Sequence, residues 1–281
     1  MTRISAVVIT RNEASRIEDC LAALSFCDER IVVDSYSDDE TVELACRDAD
    51  KVYRRQFIFW GEQKNWAMSQ VEGDWILLVD ADERVSGPLA GEIRARVEAA
   101  EKDAYWIRRR NHFFGRAIRG AGWDRDRVLR LLRVGAGRYD ERLVHEEIRL
   151  SPGKSVGELS EALDHFSYED WPTTFQRMLS YSGRGAAEAR AKGRRAPGWK
   201  LALASQTRFF KQYVLQGGFR DGIHGFVLCG LSASQAFLKL AKLRLGEFPP
   251  PAVPTGDPAL EVVKGLGRSI PEQSGGEGAR D

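Results

Sequence analysis

Residues 75–85 read Trp75-Ile76-Leu77-Leu78-Val79-Asp80-Ala81-Asp82-Glu83-Arg84-Val85. A short apolar run ends abruptly in two carboxylates spaced i, i+2. The run is too short for a membrane span and has the length of a buried strand. Side chains alternate along a strand, so Asp80 and Asp82 face the same side as long as extended geometry persists. A hard divalent cation such as Mg²⁺ or Mn²⁺ takes oxygen ligands and keeps phosphate oxygens in its shell. The chemistry this spacing permits is a metal meeting a phosphate at the edge of a sheet. The plainer alternative is an acidic turn that ends a strand.

The surrounding elements favour the first reading. Ile4–Thr10 reads as a strand, and Ile17, Cys20, Leu21 and Leu24 fall on one helical face. Arg30–Asp34 is a second strand, Val42–Ala45 a second helix, and Lys51–Tyr53 a brief strand. A helix over 61–70, the strand at 75–79 and a helix marked by Leu89, Ile93 and Val97 follow. This alternation predicts an α/β fold, a mostly parallel central sheet with helices on both faces. Ligands of such sheets bind beyond the carboxyl ends of the strands. Asp34, Asp80 and Asp82 all sit at those ends, which predicts one shared crevice. Residues 37–41, rich in Ser, Asp and Thr, also read as a helix cap. No Gly-x-Gly-x-x-Gly follows either early strand, so a dinucleotide fold is disfavoured.

Beyond residue 104 the pattern changes. Strands at 104–110, 128–133 and 156–165 flank a Gly- and Arg-rich loop, and Asp170-Trp171-Pro172 reads as a helix start. Residues 199–245 are mainly helical, with weak points at Gly217, Gly218 and Gly222. No unbroken apolar run there reaches membrane-span length, yet basic amphipathic helices of this kind lie in membrane interfaces. These patterns divide the chain into 1–168, a catalytic unit with halves at about 1–103 and 104–168; 169–246, a helical region with the character of a membrane-interfacial segment; and 247–281, a disordered Pro- and Gly-rich tail.

Formal charge is +1, which gives no global case for nucleic acid, and no recognition motif accompanies the Arg-rich stretches. Nine Lys/Arg against Glu188 alone lie between Arg184 and Arg220. Cys20, Cys27, Cys46 and Cys229 have no zinc-type spacing, and Cys20 reads as a small packed hydrophobe. The N-terminus lacks the features of a secretory signal, so the expected location is the cytoplasm.

Val7-Val8-Ile9-Thr10-Arg11-Asn12-Glu13, Ile31-Val32-Val33-Asp34-Ser35-Tyr36-Ser37-Asp38-Asp39-Glu40-Thr41, Gln63-Lys64-Asn65-Trp66-Ala67 and Val79-Asp80-Ala81-Asp82-Glu83, in that order, resemble family 2 glycosyltransferases of the GT-A fold. Trp123-x-x-Asp126-x-x-x-Arg130-Leu131, Val144-His145-Glu146 and Phe219-x-Asp221-Gly222-x-x-Gly225-Phe226 narrow the resemblance to the bacterial lipopolysaccharide core β-1,4-glucosyltransferase subgroup, over roughly residues 3–245. The resemblance implies that Thr10, Asn12 and Glu13 line a nucleotide pocket, that Asp34 contacts uracil or ribose, and that Lys64 lies near the nucleotide. Asp80 would approach the ribose or metal, and Asp82 would ligate the metal. The family pattern commonly has Gly where Tyr36 stands.

Such chemistry needs a metal to neutralise a departing diphosphate and a base to take a proton from the acceptor hydroxyl. Glu146 is the first candidate base and Asp126 the second. His165 is a candidate for the metal or the donor phosphates, and a satisfied structural histidine otherwise. Trp123, flanked by Gly120, Gly122, Asp124 and Asp126, is the candidate sugar platform, with Arg127 beside it. The expected activity is inverting transfer of a hexose, glucose from UDP-glucose, to a lipid-anchored glycan such as lipopolysaccharide inner core, at the inner membrane face. The expected partners are that donor, that acceptor and the membrane surface; nucleic acid is not among them, and the oligomeric state stays open. Two other classes fit an α/β sheet with metal-binding carboxylates: a nucleotidyltransferase, disfavoured because residues 10–16 hold no Gly, and a non-catalytic nucleotide-sugar-binding protein.

Overall fold

A computed structural model of the chain describes residues 2–140, 147–246 and 259–264. The expected alternation is present: β1 (Ile4–Thr10), α1 (Ile17–Ala23), β2 (Glu29–Asp34), α2 (Thr41–Asp48), β3 (Lys51–Arg55), α3 (Trp60–Met68), β4 (Trp75–Asp80), β5 (Glu83–Arg84) and α4 (Gly87–Ala99). There follow β6 (Ala104–Phe113), β7 (Arg116–Ala117), β8 (Arg127–Arg133), β9 (Gly137–Tyr139), β10 (Ile148–Leu150) and β11 (Val156–Tyr168). Three long helices, α5 (Trp171–Ala191), α6 (Gly198–Phe210) and α7 (Gly222–Leu245), precede a last strand, β12 (Leu260–Lys264).

One sheet organises the chain, in the order β12-β3-β2-β1-β4-β8-β6-β11-β5. The quartet β3-β2-β1-β4 is parallel, as expected; β8 pairs antiparallel with both β4 and β6, and β6 runs parallel to β11. The fold is thus mixed α/β with helices on both faces. β1 is buried along its whole length, and its side chains alternate between two cores. Ile4, Ala6 and Val8 join Ile17, Leu21 and Leu89 on one face; Val7 and Ile9 join Ala67, Met68 and Leu132 on the other. Near-continuous apolar strands are what a sheet covered on both faces requires.

Residues 260–264 depart from the expected disordered tail. They pair antiparallel with β3, Gln56 N donates to Ala259 O at 2.8 Å, and Lys264 Nζ donates to Cys46 O at 2.6 Å. Val262 and Val263 suit a strand, and β3 would otherwise present an open edge. Composition averaged over the Pro- and Gly-rich surroundings hid this short segment. The remainder of 247–281 lies outside the described residues.

The weak points in the C-terminal helices are real. Lys211–Leu215 wind as a π-helix, Gly217 (φ 72°) and Gly222 (φ 59°) take left-handed conformations, and Gly218–Asp221 form a 3₁₀ turn. Polar residues such as Ser232, Ser234, Gln235 and Lys239 interrupt the apolar runs, as the sequence indicated, yet the helix as a whole is long. Gly218–Leu245 forms 28 helical residues with a window of mean hydropathy 1.3, long and apolar enough to cross a membrane by length and composition alone.

A third apolar cluster fastens these helices to the sheet. Phe113, Ile118, Ala121, Leu228 and Cys229 are its buried centre. The fully buried Asp221 accepts from Arg119 N and Gly120 N, both at 2.9 Å. A Cβ on Gly225 would lie 1.9 Å from Gly218 O, so glycine alone lets α7 close on that turn. Gly225→Ala is therefore expected to cost about 1–3 kcal/mol by overpacking. Gly230→Ala, on the same helix with open space around it, is expected to stabilise by about 0.5–1 kcal/mol. Denaturant melts of the two variants measure the contrast.

Candidate active site

The parallel register places the candidate residues in one row. Thr10 lies opposite Asp34, Asp34 opposite Arg54, and Asp80 opposite Ile9. All stand at the carboxyl ends of their strands. Asp34 is fully buried; it accepts from Ser37 N at 2.7 Å and from the Ser37 hydroxyl. Burial pushes its carboxyl up, against those hydrogen bonds and the Arg54 guanidinium. Arg54 Nε lies 3.9 Å from Asp34 Oδ2, and Arg54 Nη2 donates to Ser37 O at 3.2 Å. From the sheet edge, Glu261 of β12 approaches the same guanidinium at 3.7 Å.

Tyr36, where the resemblance led to an expectation of Gly, has φ 56°. That conformation is the reason glycine suits the position. Here Tyr36 accepts strain of order 1–3 kcal/mol, and the Arg54 guanidinium covers its ring at 5.0 Å. Asn12, also left-handed at φ 54°, donates its N–H to Ser37 Oγ at 2.8 Å and accepts from Asp38 N at 3.0 Å. Glu13 N donates to Thr41 Oγ1 at 2.8 Å, and Asp39 accepts from Thr41 N at 3.0 Å, opening α2. The loops after β1 and β2 are thereby tied together. Among the described residues Thr10 Oγ1 is buried without a hydrogen-bond partner, and Arg54 Nε has only its ion-pair contact to Asp34, which leaves both able to meet a ligand.

The Gln63-Lys64-Asn65 motif resolves into three separate tasks. Gln63 is buried, accepts from Arg55 at 2.7 Å and donates to Ser35 Oγ at 3.4 Å. Asn65 exchanges hydrogen bonds with the Tyr139 backbone at 2.8 and 2.9 Å. Between them Lys64 Nζ is held 4.0 Å from Asp80 Oδ1, over the rings of Tyr139 and Trp60.

Asp80 and Asp82 separate. β4 ends at Asp80, the chain turns through Ala81 and Asp82, and extended geometry does not persist. Asp80 pairs with Arg130 and donates its N–H to Glu83 Oε2 at 2.9 Å. Burial opposes charge on Asp80, but Arg130 and Lys64 outweigh it and hold the carboxyl well below its ordinary value. Beneath it Cys20, fully buried as expected, donates toward Asp80 O at 3.7 Å; burial pushes its thiol up to about 12. The fully buried Glu83 is shared by Arg130 at 3.1 Å and Arg109 at 3.5 Å.

Arg109 continues the chain of contacts. Its Nε and Nη2 reach Asp126 Oδ2 at 2.9 and 2.8 Å, and Asn111 Nδ2 donates to that same oxygen at 2.9 Å. A carboxylate only accepts, so the Asn111 amide has its nitrogen toward Asp126 and its oxygen toward His165 Nδ1, at 2.5 Å. Nδ1 therefore carries a proton, and in the neutral ring Nε2 presents the lone pair. Ser167 Oγ contacts Nε2, and Asp82 Oδ1 lies 3.6 Å away. Arg177, reaching in from α5, stands 3.4 Å from Asp82 Oδ2 and 4.0 Å from Glu13 Oε1. Burial raises the Glu13 carboxyl, opposed by Arg16.

Several expected residues fall elsewhere. Trp123 is only partly exposed and packs against Tyr168 and Phe113, in the cluster that carries the C-terminal helices. Arg127 is exposed, pairs with Glu158 at 3.3 Å and covers Trp106, apart from the carboxylate network. A cavity of about 530 Å³ between α3 and residues 134–138 is lined by none of the candidates. Glu146 and His145 lie outside the described residues. Arg109, Asn111, Arg54, Ser167 and Arg177 were not anticipated. Arg130 was visible in its motif without a role; nothing in the local sequence marks Arg177.

Residues 5–149 match Glycosyl transferase family 2. The chain belongs to that family. It is 30% identical over 248 residues to the lipopolysaccharide core biosynthesis glycosyltransferase LpsC of Rhizobium meliloti, covering 85% of this chain and 91% of that protein. It is 29% identical over 259 residues to an uncharacterised glycosyltransferase of Rickettsia bellii, covering 86% of each. Residues 1–349 of S. aureus TarS, solved with UDP-GlcNAc, align over 92% of this chain and 96% of that one at 14% identity and a TM-score of 0.48. The mixed α/β sheet flanked by helices is the fold class expected from the sequence, and membership of this family selects sugar transfer over the nucleotidyl-transfer and non-catalytic readings.

Removing Arg130 leaves Asp80 and Glu83 uncompensated. Arg130→Met is expected to cost about 3–5 kcal/mol. Because the folded-state Asp80 binds its proton more weakly than the ordinary carboxyl of about 3.9, its stabilisation is complete above that pH and is lost as pH falls through the lower folded value. In Arg130→Met that contribution is already absent, so the stability gap from wild type should narrow as pH falls below about 3.9, which denaturant melts at a series of acid pH values followed by circular dichroism will register.

Proposed function

We propose that this protein is an inverting hexosyltransferase that uses a uridine diphosphate sugar, UDP-glucose first among candidates, and glycosylates a lipid-anchored acceptor of the lipopolysaccharide core class at the cytoplasmic face of the inner membrane. The name of its Rhizobium relative supports the acceptor class. Thr10, Asn12, Glu13 and Asp34 frame the base and ribose, and Lys64 and Arg177 face the diphosphate.

The observation that carries this reading is the pairing of Asp82 with the His165 Nε2 lone pair at 3.6 Å. Among the described residues no trio of His, Cys, Asp or Glu could hold a metal alone. Two protein donors beside an arginine fit Mg²⁺ or Mn²⁺, which take one or two protein ligands and fill their shell with phosphate oxygens and water. When bound, the ion neutralises charge on the departing diphosphate. Asp82 and His165 would hold it, with Asp80 on the ribose side.

Asp126 is engaged through Oδ2 by Arg109 and Asn111, which suits a group that fixes the His165 tautomer. Proton acceptance from the acceptor hydroxyl is accordingly assigned to Glu146. The attack is a single displacement, so an α-linked donor yields a β-linkage.

Release of UDP, measured with a panel of donors and metals, tests the assignment. Asp82→Ala should lower turnover by about 10²–10³ or more and remove metal-dependent donor binding; unchanged turnover would refute the site. Asn111→Leu should weaken metal affinity about 10–100-fold with kcat at saturating metal far less affected. Glu146→Gln should do the reverse, lowering kcat at unchanged metal and donor affinity.

A further inference from the structure

Three segments meet at the end of α5 remote from Asp82. Arg190 is in the last turn of α5, Arg194 and Arg195 follow the left-handed Gly193 (φ 67°), and Arg244 is in the last turn of α7. With Ala196, Leu243 and Leu245 they line a cavity of about 610 Å³. The turn is fixed by Gly193 N donating to Arg190 O and Arg194 N to Ala189 O, both at 2.9 Å. Arg244 Nη1 donates to Ala196 O at 3.1 Å. Lys242, two residues earlier, staples α7 to α5 through Leu179 O at 2.8 Å and Ser182 Oγ at 2.9 Å. The cavity walls are therefore anchored.

No carboxylate of the described residues pairs with any of these four arginines; Glu188, the acid nearest in sequence, pairs with Lys192. Four cations gathered around one cavity repel each other, and an anion in their midst relieves that repulsion. Guanidinium forks match phosphate oxygens in particular. The apolar surroundings select the source of the phosphate. Trp199 is 63% exposed, Leu203 50% and Leu245 77%, all at the same end of the helices. Tryptophan and leucine beside arginine is the chemistry of a surface lying at the boundary of headgroups and acyl chains.

We propose that the arginine cavity between the end of α5 and the last turn of α7 binds the phosphate of an anionic membrane lipid, with Trp199 and Leu245 seated in the acyl boundary. This deepens the lipid-anchored-acceptor reading above and rests on it for its purpose. It also sets a distance. Arg177 contacts Asp82 from α5, and Arg190 follows thirteen residues later. At the helical rise the lipid phosphate lies roughly 20 Å along α5 from the candidate metal site.

The test is flotation of the full-length protein with vesicles of phosphatidylcholine alone or mixed equally with phosphatidylglycerol. Wild-type protein should prefer the anionic vesicles, and Arg194→Gln/Arg195→Gln should bind them roughly thirtyfold more weakly, the effect of losing two surface cations. Trp199→Ala should weaken binding while preserving the preference for anionic lipid. All variants should release UDP from donor as wild type does and melt at the wild-type temperature. Equal binding to both vesicles, or unchanged binding by the double glutamine variant, overturns the proposal. Saturation of the cavity by inorganic phosphate with no vesicle binding overturns the lipid assignment. Vesicle binding without any donor-dependent UDP release leaves this proposal standing and defeats the functional one.

Discussion

The candidate site depends on keeping carboxylates charged at the end of a buried sheet. Burial disfavours charge on Asp34 and Asp80, Glu83 is fully buried beside them, and each has different cationic neighbours. Asp34 is held by Ser37 and by Arg54 across the strand register. Asp80 and Glu83 share Arg130, and Glu83 also meets Arg109. A lone buried carboxylate would protonate and lose the property that makes it useful to a cation or a ribose. The arginines that prevent this come from β3, β6 and β8, so the second half of the sheet does electrostatic work for the first. The strands before and after residue 103 are in that sense a single electrostatic unit.

That dependence explains what the sequence disclosed and what it withheld. Strand and helix alternation was legible because periodicity is local: Ile17, Cys20, Leu21 and Leu24 announce their face without reference to anything distant. The strand-end carboxylates were legible for the same reason, since a short apolar run fixes where a strand must stop. Partners from far along the chain were not. Arg177 meets Asp82 across 95 positions, and β12 meets β3 only after the long C-terminal helices. The i, i+2 spacing of Asp80 and Asp82 also misled in detail. A turn begins between them, and the pair diverges toward Arg130 on one side and His165 on the other. Trp123 shows the limit of flanking composition, because its glycine neighbours serve close packing against the 212–218 turn: a Cβ on Gly120 would meet Gly217 O at 2.3 Å.

Tyr36 and Gly225 show two ways in which backbone geometry sets residue choice. At Gly225 the obstacle is another backbone, which cannot yield, and no side chain is accommodated. At Tyr36 the obstacle is the residue's own left-handed conformation, a cost of order 1–3 kcal/mol that a neighbour can offset. Arg54 sits on its ring and is itself held by Asp34 and Glu261. A strained position thus persists because the loop around it is over-determined, by Asn12 on one side and the β3 edge on the other.

The chain of contacts from Arg109 to His165 carries one further consequence. Each member leaves its neighbour a single orientation: Arg109 fixes Asp126, Asp126 fixes which end of the Asn111 amide faces His165, and Asn111 places the proton on Nδ1. The lone pair on Nε2 of the neutral ring is therefore determined by residues on β6 and beside β8, none of which contacts Asp82 among the described residues. A histidine in the opposite tautomer would offer Asp82 an N–H donor, and the two would hydrogen-bond in place of forming a pair of lone-pair donors. On the reading proposed above, proton placement, more than the presence of an aspartate and a histidine 3.6 Å apart, is what would let this corner of the sheet offer two lone-pair donors to a metal ion.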